Sequence, residues 1–197
     1  NGKNSDMVLK EDSIESDYIM EINLDINAVN VNFKQGEEYK VEYGFYEDSK
    51  YTVEVNEGVI NVSHNSSSSS VKNINSRQYI NIIYPEDALF NRCSIHCTAS
   101  NLSFDKMKTK ENNMNLNASK VKVSDSEFDN IDIKANACMI TMDLIGNIEE
   151  YGYRLNSNDS VCTINGKSFA EYSTSDEKER MISFEVNAGK VKVSFNK

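Results

Sequence analysis

Strict alternation of apolar and polar residues constrains this chain most. It runs through "IMEINLDI", "YTVEVNEGVINVSH", "IDIKANACMITMD" and "ISFEVNAGKVKVSF". A period of two puts every apolar side chain on one face of an extended strand. At this density it predicts an all-β protein. A single proline and no tryptophan accompany strands rich in Val, Ile, Tyr and Phe. The one helix-like stretch is Met7–Tyr18.

A longer frame lies over the alternation. Met114, Leu116, Ala118, Val121 and Val123 sit at offsets 0, 2, 4, 7 and 9. Ile95, Cys97, Ala99, Leu102 and Phe104 fit the same frame, as do Ile131, Ile133, Ala135, Cys138 and Ile140. Further copies are Phe184, Val186, Ala188, Val191 and Val193, then Ile22, Leu24, Ile26, Val29 and Val31. A looser copy is Tyr153, Leu155, Ser157, Ser160 and Cys162. Offsets 0, 2 and 4 line one face of a strand, and 7 and 9 one face of the next. The odd step between them requires a turn, expected at pairs such as Ser119-Lys120, Asn136-Ala137 and Gly189-Lys190. Starts at 95, 114 and 131 lie 19 and 17 residues apart, a plausible coil length. The expected fold is therefore a β-solenoid, a single-stranded β-helix-like stack of short coils. A β-sandwich is the alternative. The wider spacing before 153 and 184 requires insertions.

This frame gives "CSIHC", residues 93–97, a structural reading. Cys97 takes a core slot, and His96 takes offset 1, facing solvent beside peers such as Asn115 and Glu185. Alternation turns His96 away from Cys93 and Cys97, against a shared metal. Cys138 and Cys162 also take inward slots, so four buried unpaired thiols are expected over two disulfides.

Residues 34–92 form a different, hairpin-bearing section. Tyr51–His64 reads as a hairpin, with Val53 and Val55 facing Ile60 and Val62 across Asn56-Glu57-Gly58. "HNSSSSSVKNINS" is a low-complexity loop, expected to be mobile. "QYINIIYPED" is a strand that Pro85 stops or confines to an edge. Residues 1–17 are a polar segment of the kind that follows a removed anchor or signal, and 18–197 read as one domain.

With 31 Asp+Glu against 21 Lys+Arg, the net charge is −10. That balance disfavours nucleic acid and anionic membrane surfaces. No apolar run is long enough to span a bilayer as a helix. No HExxH, CxxC or GxGxxG occurs, and neither histidine has an evident partner, so no catalytic residue and no cofactor are expected. The densest carboxylates, Asp125, Asp129 and Asp132, are candidates for a cation, against the simpler reading of a solvated edge. Tyr43, Phe45, Tyr46 and Tyr51 are candidates for ligand contact, against packing beneath the hairpin.

Several segments, in order, resemble the bacterial putative-adhesin domain family. They are "INLDINAVNVNFKQGEEYKVEY", "VEVNEGVINV", "INIIYPED", "CTINGKSF" and "ISFEVNAGKVKVSF", and they span 18–197. The Asn165-Gly166 turn and Ala188-Gly189 fit the same pattern. Ser119-Lys120 and Asn136-Ala137 depart from the family's Gly-Asp or Gly-Lys turns. The resemblance implies a β-solenoid-like domain tethered to the bacterial envelope, and brings no catalytic residues. The leading expectation is a non-enzymatic extracytoplasmic surface module, an adhesin or a domain binding a surface glycan or protein. The alternatives are a structural or sensory envelope protein that pairs with a partner protein, and a polysaccharide-active enzyme.

Overall fold

A computed structural model describes residues 8–65 and 76–196. Most of the Ser-rich loop lies outside the described residues. The first strands are β1 (Leu9–Ser16), β2 (Glu21–Asn27), β3 (Asn30–Gln35), β4 (Tyr39–Tyr46), β5 (Lys50–Asn56) and β6 (Val59–Asn65). Then follow β7 (Tyr79–Tyr84), β8 (Phe90–Thr98), β9 (Asn101–Asp105), β10 (Lys108–Asn117), β11 (Lys120–Asn136) and β12 (Met139–Ile145). The chain ends with β13 (Tyr151–Asn158), β14 (Val161–Ile164), β15 (Lys167–Ser168), β16 (Tyr172–Thr174), β17 (Arg180–Asn187) and β18 (Lys190–Asn196). The helix-like stretch Met7–Tyr18 is corrected: β1 is extended and pairs antiparallel with β4. Cross-strand pairing overrides its local pattern.

The strands make two largely parallel sheets around one core, as a β-solenoid does. Sheet A runs β7–β3–β9–β11–β12–β18–β14, and sheet B runs β6–β2–β8–β10–β11–β17–β13. β11 bends near Asp125, so its first part lies in sheet A and its second in sheet B. Antiparallel strands close the ends: β4 on β7 and β5 on β6 at one, β15 on β14 and β16 on β13 at the other. Such caps cover strand edges that would otherwise template aggregation.

Stack order departs from chain order twice. The coil β6–β7 lies outside β2–β3, and the last coil, β17–β18, sits between β11–β12 and β13–β14. The wide spacing before 184 thus reflects the chain skipping one place in the stack and returning to fill it. Residues 165–179, with β15 and β16, are the connection.

Register corrects the repeat. Ile95, Met114 and Ile133 are in line, so the coil is a regular 19 residues. The copies starting at Ile22, Ile131 and Tyr153 are displaced by two residues from the other three. Their true starts are Leu24, Ile133 and Leu155, opposite Ile95, Met114 and Phe184 respectively. A displacement of two leaves each side chain on its own face, which is why the apolar pattern tolerates either alignment.

The corner itself is now defined. Ala28, Ala99, Ala118, Ala137, Asp159 and Ala188 occupy equivalent places and all have φ between 47° and 56°. This left-handed conformation costs a non-glycine residue roughly 1–2 kcal/mol. Most of these residues are exposed, so Ala99, Ala118 and Ala188 are corner residues rather than core. The next residue turns inward and offsets the strain. Ser119 Oγ donates to the Asn117 carbonyl at 2.8 Å and accepts the Ser100 N–H of the neighbouring coil at 3.1 Å. Ser100 and Ser160 do the same, accepting from Val29 and Gly189. Ser126 repeats the motif at the opposite corner, beside Asp125 with φ 48°.

The hairpin β5–β6 has the expected pairs Val53–Val62 and Val55–Ile60. Pro85 stops β7, which is central, flanked by β3 and β4. At the head of β7, Gln78 is fully buried. Its Oε1 accepts the Tyr46 N–H at 3.1 Å and lies 2.9 Å from His64 Nε2, while its Nε2 donates to the Ala28 carbonyl at 3.1 Å. One side chain thus ties β4, β6 and a corner together.

His64 is buried and stacked on Phe45, with centroids 4.4 Å apart. Burial lowers its pKa from the ordinary 6.5, the Gln78 hydrogen bond opposing in part. The unfolded chain therefore binds a proton first as pH falls, so stability declines from about pH 6.5 down through the lower folded value. Urea midpoints at pH 7.5 and 5.5 should differ in the wild type and differ less in His64→Gln. An equal difference in both would exclude His64 as the source.

Candidate functional site

The outer face of sheet B carries rows of polar side chains. Parallel register brings equivalent outward residues of successive coils into rows. One row runs Ser63, Asp25, His96, Asn115, Lys134 and Glu185. Neighbours in it are about 4.8 Å apart, and rows lie about 7 Å apart along the strands. A second row holds Asn61, Asn23, Ser94, Asn113, Asp132 and Ser183. A third, nearest the corner, is an asparagine ladder: Asn187 Nδ2 donates to Asn136 Oδ1 at 3.1 Å, and Asn136 Nδ2 to Asn117 Oδ1 at 3.4 Å.

These rows floor a groove of about 520 Å³ reaching from Thr52 to Lys134. A second hollow of about 400 Å³ continues it towards Glu185 and Asn187, sharing His96, Asn115 and Lys134. The floor is rigid, because β6, β2, β8, β10, β11 and β17 beneath it are each hydrogen-bonded on both sides. Its side chains offer amide donors and acceptors, hydroxyls, carboxylates and an ammonium at fixed spacing. Among the described residues no Tyr or Phe lines it. The arrangement fits multivalent hydrogen bonding to an extended polar chain. His96 makes no hydrogen bond among the described residues, and the groove shows no base held against a nucleophile as acyl or proton transfer needs.

"CSIHC" is placed as expected: Cys93 and Cys97 point into the core and His96 out into the groove. All four cysteines are free and buried. Burial pushes the Cys93 thiol up to about 12 and those of Cys97 and Cys162 to about 11, so none carries reactive thiolate at neutral pH. Cys138 occupies the corner slot of the serines, its thiol donating to the Asn136 carbonyl at 3.2 Å.

Tyr43, Phe45 and Tyr51 do come together, but as the plug of one solenoid end. Their ring centroids lie 4.9–6.0 Å apart. Phe45 and Tyr46 are buried, and Tyr43 and Tyr51 half-buried against the core. Burial, then Asp12 and Tyr51, raises the Tyr43 pKa. The Tyr46 hydroxyl accepts the Arg77 N–H at 2.9 Å.

The three aspartates are not brought together. Asp125 shapes the opposite corner, Asp129 lies 3.5 Å from Arg180 Nε, and Asp132 sits in the groove. Among the described residues no group of three His, Cys, Asp or Glu converges on a metal position. No helix is long and apolar enough to cross a membrane, again among the described residues.

Sequence reasoning missed the groove, although its signal was present. The residues at offset 1 of every copy form the central row once the three displaced copies are moved by two. Asn23, Asp132 and Arg154 then give way to Asp25, Lys134 and Asn156.

Comparison with known proteins agrees with the architecture. The family model described as Toastrack DUF4097 matches residues 19–197. A crystal structure of a putative cell adhesion protein from Clostridium sporogenes ATCC 15579 superposes with a TM-score of 0.61 at 16% identity, covering 95% of this chain and 100% of that one. A putative adhesin from Parabacteroides merdae ATCC 43184 is also similar, with a TM-score of 0.39 at 11% identity, covering 96% and 97%. The comparison with curated proteins finds no match.

Proposed function

Because the chain belongs to the Toastrack DUF4097 family, we propose that it is a non-enzymatic extracytoplasmic binding module whose ligand lies along the outer groove of sheet B. The observation that carries this reading is the continuous row from Asp25 through His96, Asn115 and Lys134 to Glu185. A rigid comb of amides and charges suits a surface glycan, whose hydroxyls both donate and accept. Each contact is weak, and affinity accumulates along the row. The fold shared with the putative cell adhesion protein of Clostridium sporogenes is compatible with that role and does not specify the ligand.

Screening the protein against envelope and host-surface glycans tests the proposal. His96→Ala and Asn115→Ala remove exposed groups that support no packing, so each should weaken binding about tenfold while the melting temperature stays within a degree or so. Binding that survives both changes together, or that moves with the end plug at Tyr43 and Tyr51, would overturn the groove as the site.

A further inference from the structure

We propose that the outer face of sheet A, on the opposite side of the stack, docks on an anionic phospholipid surface. This inference does not depend on the sheet B groove.

The net charge of −10 conceals a segregated basic patch. Register places Lys120, Met139, Lys190 and Val161 side by side on β11, β12, β18 and β14. Two residues further along, Lys122 and Lys192 flank Thr141 in the same way. All four lysines are exposed and outward. Their Cα positions mark a rectangle of about 7 Å by about 10 Å. None joins an ion pair among the described residues, where basic groups elsewhere do. The carboxylate that follows Thr141 on this face, Asp143, accepts from Asn196 Nδ2 and keeps its charge, so the four lysines outnumber it and leave the face net positive.

Four ammoniums without an ion-pair partner among the described residues, on a flat face of an acidic protein, call for a polyanion. The apolar residues between them narrow its kind. Met139 is 58% exposed and Val161 54%, two of the most exposed apolar side chains among the described residues. A dissolved polyanion gains nothing from them. The headgroup boundary of a bilayer takes both, phosphates meeting the ammoniums and the methionine and valine tips entering the acyl margin. At physiological ionic strength charges more than about 8 Å away are screened, so the local patch outweighs the distant carboxylates on contact. A molecule lying on sheet A would present the sheet B groove away from the membrane.

Vesicle flotation tests this with the whole chain. The protein should float with phosphatidylcholine vesicles containing phosphatidylglycerol at low salt, and not with phosphatidylcholine alone. Each lysine near the surface is worth about fivefold, so K120Q/K122Q/K190Q/K192Q should bind about five-hundredfold more weakly. Its melting temperature should match the wild type, confirming that the fold is intact. Met139→Ser should weaken vesicle binding but leave binding of soluble polyphosphate unchanged. No flotation with anionic vesicles, or flotation that the quadruple variant retains, overturns the proposal. Equal loss of vesicle and polyphosphate binding in Met139→Ser overturns the membrane as occupant, as would polyphosphate binding with no vesicle binding.

Discussion

Phe104→Ala is expected to destabilise the protein by about 4 kcal/mol. Phe104 is fully buried at the centre of the stack. Its ring lies on Phe33 of the preceding coil, centroids 4.2 Å apart and planes within 4°, and meets Phe128 edge-on at 5.7 Å. On its other side it is in line with Val123 of the next coil. Truncation removes the shared surface of three rungs at once and leaves a void that hydrogen-bonded strands cannot collapse to fill. Because each rung contacts only its neighbours, the loss falls on the coupling between the two halves of the stack. Phe104→Leu keeps most of the volume and should cost about 1–2 kcal/mol. Urea denaturation of both variants measures the difference, and a cost below about 1 kcal/mol for Phe104→Ala would show that the aromatic stack is not what joins the coils.

The second large effect is expected at Gln78. Gln78→Leu is similar in volume yet strands the Tyr46 N–H and His64 Nε2 in a dry interior and takes one donor from the Ala28 carbonyl. Each unsatisfied buried group costs about 1–3 kcal/mol, and local relaxation recovers part of it, so about 3 kcal/mol is the expected total. The Ser76 hydroxyl, which also donates to the Ala28 carbonyl at 2.6 Å, limits the loss there. Hydrogen exchange gives a sharper test than a midpoint. The Tyr46 amide should lose its protection in Gln78→Leu, while Leu116 and Ile133, far along the stack, keep theirs. Uniform loss across all three would mean that the clamp secures the whole stack rather than its end.

Local chemistry made much of the fold legible. Alternation assigned the strands, and Glu57-Gly58 and Asn165-Gly166, all at positive φ, mark the two tight hairpins. Parity along a strand put Cys97 inside and His96 outside, and survived the two-residue error in three copies because a shift of two keeps every side chain on its face. The corners were harder. Alanine at a left-handed position resembles a small core residue in sequence, and only φ distinguishes Ala118 from a buried neighbour.

The sequence by itself determined that the chain is extended, which face of each strand is apolar, and roughly where it turns. Those properties are set by neighbours within a few residues. Tertiary structure alone decided which coil lies on which: β17–β18 entering between β12 and β14, and β6–β7 lying outside β2–β3. Such pairings are between apolar faces that are chemically alike, so composition cannot rank them. They are fixed by contacts between residues far apart in the chain, the Met181 N–H to Asn130 Oδ1 and the Gly189 N–H to Ser160 Oγ among them. The groove of sheet B and the lysine face of sheet A exist only once that order is fixed, because each row draws one residue from every coil it crosses.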